Sequence, residues 1–250
     1  MAGSGQLIVL AHGMGVSRDA YRAVIPPLVA AGYRVAAVDL RGCGESSVDW
    51  PDWSRTAIAG DLLAVVRHLG GPAVLVGHSI SGGAATIAAA REPSLITAVV
   101  ELGPFTRLRQ GMLRLLGAAM FGSVPLWRSY LDVAYPGVKP ADWTERLGRI
   151  DSLLREPGRM KALKGMGKGT PADAGAQLGN VRCPVLIVMG TLDPDWADPH
   201  AEGSATVDAL PAGLGTLKMI EGAGHYPHDQ FPDEVVSLTL TFLGSDAARA

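Results

Sequence analysis

Short apolar segments alternate with longer segments of helical periodicity along most of the chain. The apolar segments are rich in Val, Ile and Leu without strict alternation, which is typical of strands buried on both faces of a parallel sheet. They cover residues 6–12, 34–40, 73–77, 96–102, 184–190 and 215–222. The helical segments between them cover about residues 18–31, 54–69, 80–91, 197–209 and 230–243. This alternation predicts an α/β fold, a mostly parallel sheet flanked by helices.

The alternation is interrupted once, between residues 104 and 180, where the sequence has no strand-like segment. We interpret residues 104–180 as a helical cap inserted into a core formed by residues 1–103 and 181–250. An ordinary amphipathic helix packed on the domain is expected near the start of this cap, and a thin basic face disfavours a membrane-surface helix. Its apolar face favours a hydrophobic substrate and consists of Leu108, Met112, Leu115, Leu116 and Ala119.

Length and charge restrict the class of protein. A chain of 250 residues suits one domain with an inserted subdomain. The net charge of −2, without blocks of like charge, predicts neither a nucleic-acid nor a membrane partner. No apolar run is long enough to span a membrane, and the first residues lack the pattern of a secretory signal, so a cytoplasmic protein is expected. Cys43 and Cys183 are interpreted as small buried thiols.

Two serines, Ser79 and Ser81, fit the pattern small-x-Ser-x-small within the segment VLVGHSISGGAA. The predicted strand ends at Gly77, so Ser79 lies on the strand-to-helix turn and Ser81 in the first helical turn. Reactive groups in open parallel sheets gather at the carboxyl ends of strands. This register favours Ser79 as a nucleophile, with a helix-capping serine as the structural alternative.

A serine hydroxyl needs a base to remove its proton and a third group to orient that base. His225 follows the last predicted strand, and Asp193 follows the strand before it. The chain order Ser, Asp, His is the order expected for a triad built on such a sheet. Asp195 and Asp198 are nearby alternatives for the acid.

Five segments, in this order, resemble the α/β-hydrolase superfamily over nearly the whole chain. The resemblance implies Ser79 as nucleophile, His225 as general base and Asp193 as orienting acid, three residues after Gly190. A serine at this position excludes the aspartyl nucleophile of related dehalogenases and epoxide hydrolases. The matching segments are LAHGMG (10–15), VDLRGCGES (38–46), LVGHSIS (75–81), VMGTLD (188–193) and EGAGHYP (221–227).

The resemblance also implies the groups around the triad. The backbone N–H groups of Met14 and Ile80 would form an oxyanion hole. His12 and His78 are expected beside the site as structural or pocket-wall residues. Trp127, in the predicted cap, is the best pocket candidate among the five tryptophans.

Several features depart from the family pattern. Ser81 replaces the second glycine of the nucleophile turn, and the resulting Gly-His-Ser-x-Ser sequence also occurs in hydrolase-like hormone receptors of plants. Five residues precede the first strand where the family usually has a hairpin, so six parallel strands without an antiparallel edge are expected. His228 is interpreted as a surface residue, because its spacing forms no metal-ligand set.

These patterns predict a cofactor-independent serine hydrolase acting on a small hydrophobic ester, lactone or thioester, without a metal. The same triad also serves carbon–carbon hydrolases, acyltransferases and perhydrolases. Two alternatives remain: a ligand-binding or signalling protein with slow turnover, and a biosynthetic acyltransferase or cyclase on the same fold. The pattern does not predict an oligomeric state.

Overall fold

Six parallel strands form one sheet in the computed structural model of the chain, which describes residues 1–107 and 120–245. Their spatial order is β2-β1-β3-β4-β5-β6, and each neighbouring pair is parallel. The predicted α/β fold is therefore confirmed. The strands are β1 Leu7–Ala11, β2 Arg34–Val38, β3 Ala73–His78, β4 Ile96–Leu102, β5 Val185–Gly190 and β6 Gly215–Ile220.

The central strands are buried on both faces because helices cover the sheet from two sides. In β1, Leu7 and Val9 pack in one core cluster with α2 and α3, whereas Ile8 and Leu10 pack in another with α1 and α10. The edge strand β6 alternates between partly buried and exposed residues instead. The helices are α1 Ile25–Ala30, α2 Arg55–His68, α3 Ile80–Arg91, α4 Val124–Ala134, α5 Trp143–Arg155, α6 Arg159–Gly167, α7 Ala172–Gly175, α8 Pro199–Ala209, α9 Pro227–Gln230 and α10 Pro232–Gly244.

The helix predicted over residues 18–31 is divided in two. A 3₁₀ turn covers Arg18–Tyr21, and α1 begins only at Ile25. Pro26 and Pro27 lack the N–H group that a longer helix would require of them, but they fit the first turn of a new one. The division is therefore a local effect of two adjacent prolines.

The edge strand β2 is partly covered at its start. Ala2 and Val35 form one antiparallel bridge, with N–H···O distances of 2.9 Å and 2.8 Å between them. The expected six parallel strands without an antiparallel edge strand are confirmed, and this bridge protects one position of the open edge. No helix in the described ranges is long and apolar enough to cross a bilayer.

The described part of the segment between β4 and β5 contains four helices, α4 to α7, and no strand. The apolar helix face predicted from Leu108 to Ala119 lies outside the described residues. Helices α4 and α5 share an apolar cluster with residues that follow the carboxyl ends of β1 and β6. Its members include Val16, Ala20, Trp127, Leu131, Leu147, Ile150 and Tyr226.

Glu101, Cys43 and Cys183 are titratable groups buried in or beside the sheet. Glu101 of β4 accepts a hydrogen bond from the Thr86 hydroxyl at Oε1, while Oε2 has no partner among the described residues. Burial raises the pKa of Glu101 to about 7. Cys43 and Cys183 are free buried thiols, as predicted, and burial raises the pKa of each to about 12. At neutral pH these thiols are protonated.

The substitution Glu101→Gln should change how stability depends on pH. The unfolded carboxyl ionises near pH 4.5, whereas the folded one keeps its proton until about pH 7. The folded state thus binds more protons in this window, and the wild type loses up to about 1.4 kcal/mol of unfolding free energy per pH unit from this group. The difference in unfolding free energy between the variant and wild type should therefore shift in favour of the variant as the pH rises from 4.5 to 7. Above pH 7 this difference should stay constant.

Urea denaturation at several pH values measures this difference. The exposed Glu45→Gln is the matched control and should follow the wild-type profile. Parallel profiles for Glu101→Gln and wild type would show that Glu101 is already ionised in the folded protein.

Candidate active site

Ser79 occupies a strained turn between β3 and α3. Its φ of 56° and ψ of −116° make it the one non-glycine residue with positive φ in the described ranges. Such a conformation costs about 1–3 kcal/mol and persists only when its surroundings hold it. The Ser79 N–H donates to the Leu102 carbonyl at 2.9 Å, and its carbonyl accepts from the Gly82 N–H at 3.0 Å. These bonds hold the turn at the carboxyl end of β3.

Close packing around this turn explains the small residues that surround it. A Cβ on Gly77 would lie 2.3 Å from the Ser81 carbonyl oxygen, and one on Gly13 would lie 3.2 Å from the Cβ of Ser79. Ser81 is fully buried, and its hydroxyl donates to the His12 carbonyl at 2.6 Å. The Ser81 hydroxyl thus connects α3 to the loop that follows β1.

Asp193 and His225 form a buried hydrogen-bonded pair at the ends of β5 and β6. The His225 Nδ1–H donates to Asp193 Oδ2 at 2.9 Å, because a carboxylate only accepts. The other oxygen, Oδ1, accepts from the Asp195 N–H at 2.9 Å. This arrangement places the basic lone pair of the imidazole on Nε2.

The end of β4 connects the two parts of the site. Leu102 accepts the Ser79 N–H, and the next residue, Gly103, has a φ of 53°. A Cβ on Gly103 would lie 3.1 Å from His225 Nδ1 and 3.4 Å from Asp193 Oδ2. The structure therefore brings Ser79, Asp193 and His225 to the same edge of the sheet, around a position that only glycine fits.

A second carboxylate faces the same imidazole. Asp195 Oδ2 lies 3.5 Å from His225 Nδ1 and accepts a hydrogen bond from the Tyr130 hydroxyl at 2.6 Å. Burial and the charge of Asp195 raise the pKa of Tyr130 well above its ordinary value, so the hydroxyl remains a donor. The sequence gives no signal for Tyr130, which lies in α4. Helix α4 is thereby connected to the loop that contains Asp193.

His78 and His12 lie beside these groups as neutral residues. The His78 Nε2–H donates to the His225 carbonyl at 2.8 Å, and burial lowers the pKa of His78 well below its ordinary value. His12 donates through Nδ1 to the Gly13 carbonyl at 2.6 Å and accepts the Leu40 N–H through Nε2 at 3.1 Å. Burial lowers the pKa of His12 to about 4. Both rings position loops of the site.

The prediction that His228 is a surface residue is wrong. Its ring is fully buried, stacks on Tyr21 at 4.7 Å and lies 4.6 Å from the His78 ring. Helix α9 turns it inward, where it packs against other rings and neither ring nitrogen has a hydrogen-bond partner in the described ranges. Burial and the nearby positive charge of Arg146 hold the pKa of His228 well below its ordinary value.

Aromatic rings adjoin the imidazole. Phe105 lies 5.6 Å from the His225 ring and 4.8 Å from Trp196, measured between ring centroids. Trp127 is buried, lies 5.1 Å from Tyr130, and would be 2.5 Å from a Cβ on Gly15. Phe105 and Trp196 were not predicted as site residues, although each follows a residue of the site closely in the chain.

Residues that could hold a metal ion are Asp193, Asp195 and His225, whose donor atoms lie within 4.8 Å of one another. A cation there would have to displace the Nδ1 proton of His225 and the Tyr130 hydroxyl from the carboxylates. We therefore interpret the cluster as a hydrogen-bonded acid–base arrangement.

A buried ion network supports the loop after His225. Asp229 accepts hydrogen bonds from Arg146 of α5, from the Tyr135 hydroxyl at 2.6 Å and from Arg22 at 2.7 Å. Asp229 and Arg146 are almost completely buried. The network joins the helices between β4 and β5 to the His225 loop. No local sequence pattern indicates it, because its members come from distant segments.

Comparison with known proteins agrees with this geometry. The model of the alpha/beta hydrolase family matches residues 8–238. The chain belongs to the alpha/beta hydrolase family. Among its relatives, a protein named as a probable esterase from Oryza sativa subsp. japonica is 27% identical over 98% of this chain and 94% of its own. The karrikin insensitive 2 receptor CA of Petunia hybrida is 33% identical over 98% of this chain and 95% of its own.

The fold of this alpha/beta hydrolase is also shared with solved structures. The bromoperoxidase from Bacillus anthracis superimposes with a TM-score of 0.81 at 22% identity, covering 97% of this chain and 93% of that one. The relatives thus include proteins named as enzymes and one named as a receptor.

In this alpha/beta hydrolase, Arg146→Met should be strongly destabilising. It leaves the buried Asp229 carboxylate without one of its two cations, a change that typically costs about 3–5 kcal/mol of unfolding free energy. Because Arg22 and Tyr135 remain, we expect a loss near the lower end, about 3 kcal/mol. Urea denaturation measures it.

Arg149→Met, on the same helix, is the matched control. The Arg149 side chain is 42% exposed and pairs with Glu145 and Asp19 at the surface. Such pairs contribute about 0–1 kcal/mol. Similar small losses in both variants would contradict the role of the buried network.

Proposed function

We propose that this alpha/beta hydrolase is a serine hydrolase that cleaves a carboxylic ester, lactone or thioester through an acyl-enzyme on Ser79. One observation supports this above all: the strained Ser79 turn lies at the same strand edge as the Asp193–His225 hydrogen bond. His225 would accept the Ser79 proton at Nε2, and Asp193 would orient the ring and stabilise the imidazolium.

The reaction would proceed in two steps. Ser79 Oγ attacks the carbonyl carbon, its proton passes to His225, and His225 then protonates the leaving group. Water, deprotonated by the same imidazole, attacks the acyl-enzyme and releases the acid. No cofactor is needed for either step.

The charge that develops on the carbonyl oxygen would be stabilised by the backbone N–H groups of Met14 and Ile80. Ile80 is the first residue of α3, where N–H groups have no acceptor within the helix. Met14 follows Gly13, which lies directly against Ser79. One such donor typically contributes about 3–4 kcal/mol to transition-state stabilisation.

The substrate we propose is a small molecule with a hydrophobic acyl group. The rings of Phe105 and Trp196 beside His225 support this class, and we propose that Trp127, next to Tyr130, lies behind the pocket wall. Residues 104–180 would act as the cap over this pocket, with Tyr130 connecting the cap to the acid loop. We further propose a cytoplasmic location and no nucleic-acid partner. The name of the rice relative, a probable esterase, agrees with ester cleavage.

A second candidate function is ligand binding with slow turnover. The similarity to the Petunia hybrida receptor and the Gly-His-Ser-x-Ser turn favour it. In that case the triad residues would be kept, but the Ser79 hydroxyl would be weakly activated and turnover of the bound molecule would be slow. The reactivity of Ser79 towards an active-site probe addresses both candidates.

A fluorophosphonate probe should modify Ser79 alone, because the proposed base activates this hydroxyl whereas the Ser81 hydroxyl already donates to the His12 carbonyl. Peptide mass spectrometry locates the adduct. We expect Ser79→Ala to abolish it and Ser81→Ala to retain it. An adduct on Ser81 would contradict the proposed register, and no adduct on folded protein would favour the binding function.

Asp193→Asn should lower kcat for p-nitrophenyl acetate by about 10⁴-fold, because an amide does not hold the imidazole tautomer that a serine requires. Asp195→Asn, the matched control, removes the carboxylate that lies 3.5 Å rather than 2.9 Å from Nδ1 and should cost far less. Initial rates under saturating substrate give kcat. A larger loss in Asp195→Asn would assign the orienting role to Asp195 instead.

A further inference from the structure

Arg55 is a buried cation whose hydrogen-bonding groups are not satisfied. It is the first residue of α2 and is 4% exposed. Its Nε and Nη1 atoms have no hydrogen-bond partner in the described ranges. Arg146 is similarly buried and also has one unpartnered nitrogen, Nη2, but its guanidinium is paired with the Asp229 carboxylate. Buried polar groups of this kind normally have a hydrogen-bond partner.

The guanidinium of Arg55 stays charged at neutral pH. Burial lowers its pKa only to about 10, and the negative charge of Asp173 opposes this shift. Asp173 accepts the Ala174 N–H at 2.8 Å and forms no ion pair with Arg55 in the part of the chain that the structure describes. A buried charge without a paired counter-charge destabilises the fold.

A basic groove adjoins this arginine. Its volume is about 490 Å³. The chain has five lysines, and three of them line this one groove at the helical spacing of α6 and its C-cap. Its lining includes Trp53, Ser54, Lys161, Lys164, Lys168 and Gly169.

Arg55 lies directly behind the lining of the groove, although it is not itself a lining residue. Ser54 and Gly169 both line the groove, and Arg55 Nη1 is 3.6 Å from where a Cβ on Gly169 would stand. Because Gly169 has no side chain, little separates the guanidinium from the groove. Asp52 is the one carboxylate in the lining, and its hydrogen bonds with Ser54 lower its pKa. The three lysines of the lining and Arg55 behind it are thus opposed by two nearby carboxylates, those of Asp52 in the lining and Asp173 near Arg55.

We propose that this groove binds a small phosphorylated molecule, whose phosphate pairs with Arg55 and the lysines of α6. Phosphate carries up to two charges and several acceptor oxygens, which suits an arginine and several ammonium groups. A single carboxylate would leave most of this charge unmatched. Trp53 offers a flat surface for the organic part of the ligand.

The groove is distinct from the cluster around Ser79, but Arg55 packs against α3, the helix that begins after Ser79. The Cβ position of Gly83, in α3, lies 3.0 Å from Arg55 Cδ and 3.1 Å from the Phe105 carbonyl oxygen. The proposed site does not depend on the proposed hydrolase activity, and its test uses no turnover.

The test is thermal unfolding of the full chain with increasing inorganic phosphate, at pH 7.5 and constant ionic strength maintained with NaCl. We expect a saturable rise in the Tm of wild type, about 4 °C at ten times Kd. Arg67→Met is the matched control on α2, because Arg67 is 52% exposed and pairs with Glu92. It should respond like wild type.

Arg55→Met should lose the response to phosphate. Without phosphate it should be at least as stable as wild type, because the unpaired charge is gone while the apolar volume is kept. The double variant Lys164→Met/Lys168→Met, on the exposed side of the groove, should weaken the response without touching the buried arginine. This second variant keeps the test decisive if Arg55→Met does not fold.

Three outcomes would overturn the proposal. One is a wild type without a saturable response. Another is an equal response in wild type and Arg55→Met, which would indicate a general salt effect. The third is a response to citrate but not to phosphate at matched ionic strength, which would assign the groove to a carboxylate ligand.

Discussion

The close approach of β3 and α3 is the constraint on which the rest of the site depends. A Cβ on Gly77 would meet the Ser81 carbonyl at 2.3 Å, so the chain can turn here only through small residues and a strained Ser79. Because all six strands are parallel, the loops after β5 and β6 end at the same edge as this turn. Gly103 then leaves room for the imidazole and carboxylate beside it. The backbone conformation of this turn and these loops thus determines where the side chains of the site lie.

Ionisable side chains buried around the site are either paired with an opposite charge or neutral. The histidines next to His225 are neutral, and the carboxylate of Asp229 is matched by two guanidinium groups. Charges that stay in a low-dielectric interior without a partner are costly. Arg55 departs from this pattern, and it does so beside a groove whose remaining cations are lysines.

Membership of the alpha/beta hydrolase family does not by itself assign an activity. An esterase-named relative and a receptor-named relative each match nearly all of this chain. What distinguishes members of a family are the groups around the shared edge of the sheet. In this protein they include the Tyr130–Asp195 hydrogen bond and the rings of Phe105 and Trp196, contributed by the helical segment and the loops rather than by the strands.

The sequence alone determined the parallel sheet, since strands buried on both faces must be continuously apolar. It also located the Ser79 turn, because the predicted strand end at Gly77 lies one residue before the observed end of β3 at His78. Pro26 and Pro27 divide the helix predicted over residues 18–31 by a local effect, although the helical periodicity around them does not show the division. Only the tertiary structure decided that His228 is buried, that Tyr130 reaches Asp195 across 65 positions, and that Arg146 reaches Asp229 across 83. Periodicity reports which face of its own element a residue occupies. The partner on the next element depends on how the elements pack, and no local pattern contains that information.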